Sequence, residues 1–231
     1  MKEEKIGKSI TEDLTKSMEF LKKPEIEPQK VFPWEAAWVK KLDASNSDDI
    51  EAYKNINARS EVSKWMVGDT MNTEEIKELF LDREQLMYGV SGEKRRDRTE
   101  GWVSLYEPDT EIVDKLIKRE LVDNSKDARV LEISFARLIE ENVPVENRER
   151  GLIPSAIRQI CFSLIKKQEK ITIIAFTNHE NLLSERVLEK AGFIIKGKTF
   201  YDEKSKEEDN FWVLDENELK KALEKKKLNS Q

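Results

Sequence analysis

One cysteine and one histidine in 231 residues leave little material for several common chemistries. The lone thiol, Cys161, can form no internal disulfide, and a Cys/His metal cluster needs more ligands than the chain supplies. A single imidazole, His179, argues against both a His-based metal site and a Ser-His-Asp triad, so no resident metal is expected. Long apolar runs are missing too: none approaches the ~18 residues of a membrane span. Residues 1–30 are charged throughout and lack the apolar stretch of a secretory signal. Nor is there an excess of positive charge. The 41 Lys and Arg are outnumbered by 47 Asp and Glu, a net charge of −6, which argues against nucleic-acid binding. The expectation is a soluble cytoplasmic protein, monomer or homodimer, with neither membrane nor nucleic acid as partner.

Hydrophobic and charged residues each make up 38% of the chain, enough for one packed domain with charged extensions. Residues 1–30 read as an appendage, either a docked helix or disorder, ended by Pro24 and Pro28. Residues 31–215 read as the domain and 216–231 as a Lys-rich, weakly amphipathic C-terminal helix. Within the domain, 38–42 reads as a strand. A helix capped around Ser47-Asp48-Asp49 and a second one capped by Thr73 follow. Strands at 85–90 and 101–106 flank a polar loop, Ser91 to Arg98, whose basic cluster either grips an anion or is a solvated tip. Thr110 opens a helix with Ile112, Val113, Leu116, Ile117 and Leu121 at helical spacing. Strand 129–135, helix 153–167, strand 171–176, a helix from about Asn181 to Gly192, and strands 193–201 and 211–214 complete the domain. This order predicts an α/β fold, a mixed sheet of about six to seven strands flanked by helices.

Residues 148–193 carry the chemistry. Arg148-Glu149-Arg150-Gly151-Leu152-Ile153 is a loop that opens directly into a helix. A helix start offers backbone N–H groups without intrahelical partners and the positive end of a dipole, where phosphate binds. Gly151 lets a ligand approach the backbone, and Arg148 and Arg150 add positive charge. Downstream stand Asn181, Ser184, Lys190, Gly192 and Phe193. Together these resemble the two acyl-CoA-binding motifs of the GNAT superfamily of N-acetyltransferases, Arg/Gln-x-x-Gly-x-Gly/Ala and Asn-x-x-Ser/Ala-x3-Tyr-x-Lys/Arg-x-Gly-Phe. The strand Glu132-Ile133-Ser134-Phe135-Ala136 also resembles the strand that carries a glutamate base in the family's histone-acetylating branch.

The resemblance implies transfer of an acetyl group from acetyl-CoA to an amine acceptor, a small molecule or a protein N-terminus, or else an inactive acyl-CoA-binding module. It implies that Arg148, Arg150, Gly151, Leu152 and Ile153 hold the pyrophosphate. Ala136, Arg137 and Leu138 would present backbone N–H groups to the thioester, Asn181 would bond the pantetheine arm or the substrate side, Ser184 would help bind the cofactor, and Glu132 would act as base. Glu132 has a bland reading beside this one, a strand carboxylate paired with Arg129 or a neighbour. Two departures stand out. Ile153 replaces the final small residue of the loop, and Leu188 replaces the tyrosine that can protonate the leaving thiolate. Either Ser184 or Tyr201 then serves as acid, or the thiolate leaves unaided, as its pKa of about 8.5 permits. Helix 112–121 stands where the family often has a hairpin and is a candidate specificity element. Tyr88, Trp102 and Tyr106 either line an acceptor pocket or pack in the core. Cys161 reads as core, and His179 as an exposed loop residue or a cleft liner.

Overall fold

The computed structural model describes residues 30–65, 71–82, 85–122, 128–138, 150–167, 170–202 and 207–229, without the side chains of 166–167, 198–202 and 207–208. Residues 1–29 and 139–149 therefore lie outside the described residues. The seven strands are β1 (Trp38–Lys41), β2 (Gln85–Ser91), β3 (Gly101–Tyr106), β4 (Arg129–Arg137), β5 (Ile171–Asn178), β6 (Ile194–Asp202) and β7 (Glu207–Leu214). They form one sheet in the order β1-β2-β3-β4-β5-β7-β6. The central pair, β4 and β5, is parallel, and the other described pairs are antiparallel.

Helices α1 (Ser47–Asn57), α2 (Ser60–Ser63) and α3 (Thr73–Leu81) follow β1. Asn46 caps α1 and Asn72 caps α3, each one residue ahead of the predicted cap. An asparagine oxygen placed before the first turn reaches the free N–H groups there, and Glu75 reaches back to the Asn72 N–H at 2.6 Å to complete a capping box. The short α2 has no counterpart in the sequence reading. Helix α4 (Thr110–Lys118) is the insertion between β3 and β4. It is followed by α5 (Leu152–Lys167) and α6 (Leu182–Ala191), with α7 (Glu216–Leu228) at the end of the chain.

Strand alternation sorts the sheet into two faces. On the back, Val103, Leu105, Leu131, Ile133, Ile173 and Ala175 form one core with Leu152, Ala156, Ile157 and Cys161 of α5 and with Leu188 of α6. Leu219 and Leu223 of α7 are buried in the same core, so the predicted tail helix is docked on the domain. The front is covered in two separate places. Ile50 and Tyr53 of α1 and Ile76 and Phe80 of α3 pack on Met87, Trp102 and Ala136. Leu116 of α4 packs on Val130, Ile174, Phe211 and Val213. Along β4, Ala136 belongs to the first cluster and Val130 to the second. Glu132 and Ser134 lie between them, level with Tyr106 and Ser104 of β3. A polar strip thus crosses the front of the sheet between two apolar clusters.

Candidate active site

The parallel pair β4–β5 holds register from Arg129↔Ile171 to Glu132↔Ile174 and then parts. Beyond that point β4 continues against β3, as far as Gly101↔Arg137, and β5 continues against β7, as far as Asn178↔Asp209. A gap opens between the two strands toward their C-terminal ends. The ladder decides which backbone groups face it. Arg129 donates its N–H to Lys170 O on the β5 side (3.1 Å), while Leu138 donates to Glu100 O on the β3 side (2.8 Å). Alternation between these points turns the N–H groups of Phe135 and Arg137 toward the gap and that of Ala136 toward β3, while the Ile133 N–H still falls within the β4–β5 ladder that ends at Glu132↔Ile174. Of the three residues predicted to present N–H groups, only Arg137 has its N–H turned to the gap side of β4. Ala136 and Leu138 belong to the β3 ladder.

Glu132 sits where the strands part. The β3–β4 register runs without a bulge, so Glu132 stays on the front face. It is not paired with Arg129, which binds Glu107 at 2.7 Å. Instead the Tyr106 hydroxyl donates to Glu132 Oε1 at 2.7 Å. Burial pushes the Glu132 carboxyl above its ordinary range; the Tyr106 bond works against this, and the negative charges of Asp109 and Asp209 add to it. The phenol of Tyr106 is itself pushed far up, first by burial and then by Glu132, so it remains a hydrogen-bond donor. Beside this pair Gln85 donates to the Ser104 hydroxyl at 2.8 Å. Of the three aromatics weighed as pocket or core, only Tyr106 reaches this strip. Trp102 is buried against Tyr53 and donates to Asn57 at 3.0 Å, and Tyr88 packs against the back core.

At the C-terminal end of β4 the first turn of α5 comes close to the sheet. A Cβ placed on Gly101 would lie 2.7 Å from Ile153 Cδ1 and 2.8 Å from the Ala136 carbonyl oxygen, so a glycine at 101 is what admits the helix start. Leu152 and Ile153 are buried in the core. Gly151 has φ +73, and nothing lies within 4 Å of where its Cβ would be. That open backbone, with exposed Arg150 beside it, is what phosphate binding at a helix start requires. Arg148 lies outside the described residues.

Across the gap, Asn181 caps α6 by accepting the Ser184 N–H at 3.2 Å. Leu188, at the position of the family's tyrosine, is fully buried in the back core. Tyr201 falls on β6 opposite Glu208, and its side chain lies outside the described residues. His179 is exposed and Cys161 is buried. Arg96 of the basic loop binds Glu93 and lies over the Trp38 ring at 4.1 Å, while Arg95 pairs with Glu100 at 3.6 Å. These two guanidinium groups are thus engaged locally.

The sequence reading missed the Tyr106–Glu132 pair and the polar strip. A signal was present. Ser104 and Tyr106 alternate with Val103 and Leu105, and Glu132 and Ser134 alternate with Leu131, Ile133 and Phe135, which is the period of a polar stripe on an otherwise apolar sheet.

A family model described as "Acetyltransferase (GNAT) domain" matches residues 41–194. No curated protein matches the chain. Among solved structures, an uncharacterized protein from Bacillus halodurans aligns over 90% of this chain and all of its own (100%), with a TM-score of 0.63 at 15% identity. Aminoglycoside acetyltransferase AAC(6')-Ib, in complex with coenzyme A and kanamycin, aligns over 80% of this chain and 98% of its own, with a TM-score of 0.56 at 15% identity. Ribosomal-protein-S5-alanine acetyltransferase from Vibrio fischeri covers 79% and 94%, with a TM-score of 0.55 at 17% identity. At these identities the structural likeness speaks to the fold.

Proposed function

The chain belongs to the GNAT acetyltransferase domain family, and from that premise we propose that it transfers an acetyl group from acetyl-CoA to a primary amine by direct attack. The observation that carries this reading is the parting of β4 from β5 immediately after a half-buried Glu132 on the open strip of the front face. Acetyl-CoA lies in the gap in this reading. Its pyrophosphate rests on the turn of Arg148, Arg150, Gly151, Leu152 and Ile153, its pantetheine arm runs between β4 and α6 near Asn181 and Ser184, and its thioester carbonyl accepts from N–H groups of β4. Donors fixed before the reaction stabilise the developing oxyanion without reorganising.

The acceptor approaches along the polar strip. Its neutral nitrogen attacks the thioester carbon, the C–S bond breaks, and CoA leaves as thiolate. The proton lost by nitrogen goes to Glu132, directly or through a water. A raised carboxyl pKa brings the base nearer to working pH and suits it to this step. Leu188 supplies no proton, so the thiolate leaves unaided or takes one from Ser184 or Tyr201. The negative surroundings of Glu132, with Asp109 and Asp209, suit an ammonium-bearing acceptor. Kanamycin and an alanine of ribosomal protein S5 are the two kinds of partner named for similar folds, and kanamycin and an alanine peptide with a free amine are suitable members of a test panel.

Calorimetric titration with acetyl-CoA tests the cofactor half, with Gly151→Glu as control. Saturable binding abolished by the substitution supports it, and no binding by the wild type sinks it. CoA release across a panel of amines tests the other half. A second reading is favoured by the buried leucine at 188: an acyl-CoA-binding module without turnover. Tight binding with no release on any amine would select it.

A further inference from the structure

We propose that Tyr106 is a positioning residue for this reaction: its hydroxyl holds one oxygen of Glu132 and leaves the other to take the amine proton. The inference rests on the reading of Glu132 as the base, and nothing in the family motifs points to position 106. Its grounds are geometric. Tyr106 and Glu132 are directly opposed across the β3–β4 ladder, with side chains on the same face. Their bond is short, at 2.7 Å, as befits a donor bound to a carboxylate. Glutamate has three side-chain torsions and would otherwise wander over the strip. Tyrosine has two, and it stands on the strip between the two front-face clusters. Catalysis by a positioned base depends on such a restraint, since small misplacements cost large factors in rate.

The charged groups that face Glu132 from neighbouring elements are Asp109, the residue preceding α4, and Asp209 of β7, and both disfavour its ionised form, as burial does. From β5 the neighbouring residue is Ile174, which is apolar. The Tyr106 hydroxyl favours the ionised form. Tyr106 therefore also sets the pH above which Glu132 is ready to accept a proton. Tyr106→Phe removes one oxygen, keeps the ring, and should release the carboxylate to higher pH.

The test is a carbon-13 titration of protein labelled at the glutamate carboxyl, with the Glu132 resonance assigned by its loss in Glu132→Gln. An upward move of its midpoint in Tyr106→Phe is the expected result. A midpoint that stays in place overturns the proposal, whether or not the protein turns over any amine. The acid limb of kcat/KM, measured as CoA release with the fastest amine of the panel, should move upward by the same amount. A limb that stays put while the resonance moves also overturns it. If Glu132→Gln retains full CoA release, the base assignment fails, and with it a catalytic role for Tyr106. That failure is distinct from an unmoved midpoint.

Discussion

Glu35 and Arg158, 123 residues apart in the chain, form a doubly bonded ion pair inside the protein, with Nε–Oε1 and Nη2–Oε2 both at 2.6 Å. The same guanidinium donates from Nη1 to the Lys190 carbonyl near the end of α6, also at 2.6 Å. Two neighbours on α5 hold the same stretch: Ser155 Oγ accepts the Ala37 N–H at 2.9 Å, and Gln159 Oε1 accepts the Val31 N–H at 2.7 Å. Segment 31–37 is therefore bonded along the helix that opens at Gly151.

Removing one partner leaves the other buried and uncompensated, at a cost of about 3–5 kcal/mol. Arg158→Met is expected to lower unfolding free energy by about that amount in a guanidinium titration. Glu35→Leu with Arg158→Met together should cost distinctly less than the sum of the two single changes. Equal and additive losses would mean that the two charges do not depend on each other.

Much of this was legible in the chain and some was not, for physical reasons. Helices and strands show in periodicity, and the Gly151 and Asn181 motifs are local, so both could be read. The helix start after Gly151 was also legible, because a glycine ahead of an apolar helical run is a local signal. Which N–H groups of β4 face the gap was not legible: a ladder phase depends on partner strands, and it turns those of Ala136 and Leu138 toward β3 and those of Phe135 and Arg137 toward the gap. Pairings such as Glu35 with Arg158, or Glu132 with Tyr106, depend on which strands and segments become neighbours. Nothing local to Glu35 marks it as buried.

Two glycines with positive φ are expected to behave differently. Gly192 (φ +105) ends α6, and a Cβ there would lie 2.5 Å from the Ala222 Cβ of α7. Gly192→Ala combines a left-handed backbone, about 1–2 kcal/mol, with an overpacking penalty of about 1–3 kcal/mol, so its melting temperature should fall clearly. At Gly151 the space for a Cβ is open, so Gly151→Ala should cost only the backbone part. Its larger effect should be on acetyl-CoA affinity, because the methyl fills the approach to the helix start. Calorimetry and thermal melts on both variants separate the cases, and a Gly151→Ala that binds like wild type would count against a phosphate at this turn.

Cys161 is fully buried in the core beneath α5, and burial pushes its thiol far above the ordinary range. The thiolate is the reactive form. A disulfide reagent at mildly alkaline pH should leave the native protein unmodified and should label one thiol once guanidinium is added. Rapid labelling of the folded protein would mean that the α5 face of the core opens far more readily than its packing implies.

The carboxyl of Glu132 gives stability a pH dependence of a definite sign. Its folded-state pKa is raised, chiefly by burial, so between the ordinary carboxylate value and the raised one the folded state binds more protons than the unfolded state. By linkage, stability from this group is fully present below the ordinary value and is lost as pH rises through the raised one. Glu132→Gln keeps the shape and removes the charge. It should therefore be as stable as wild type in acid and more stable at neutral pH, with the gap opening across that window. Melting temperatures of the two proteins at a series of pH values read this directly. The same substitution should abolish CoA release, so that a more stable and inactive variant is the combined expectation for a buried base. A variant less stable than wild type at neutral pH would mean that the ionised carboxylate is held by its surroundings more strongly than burial opposes it.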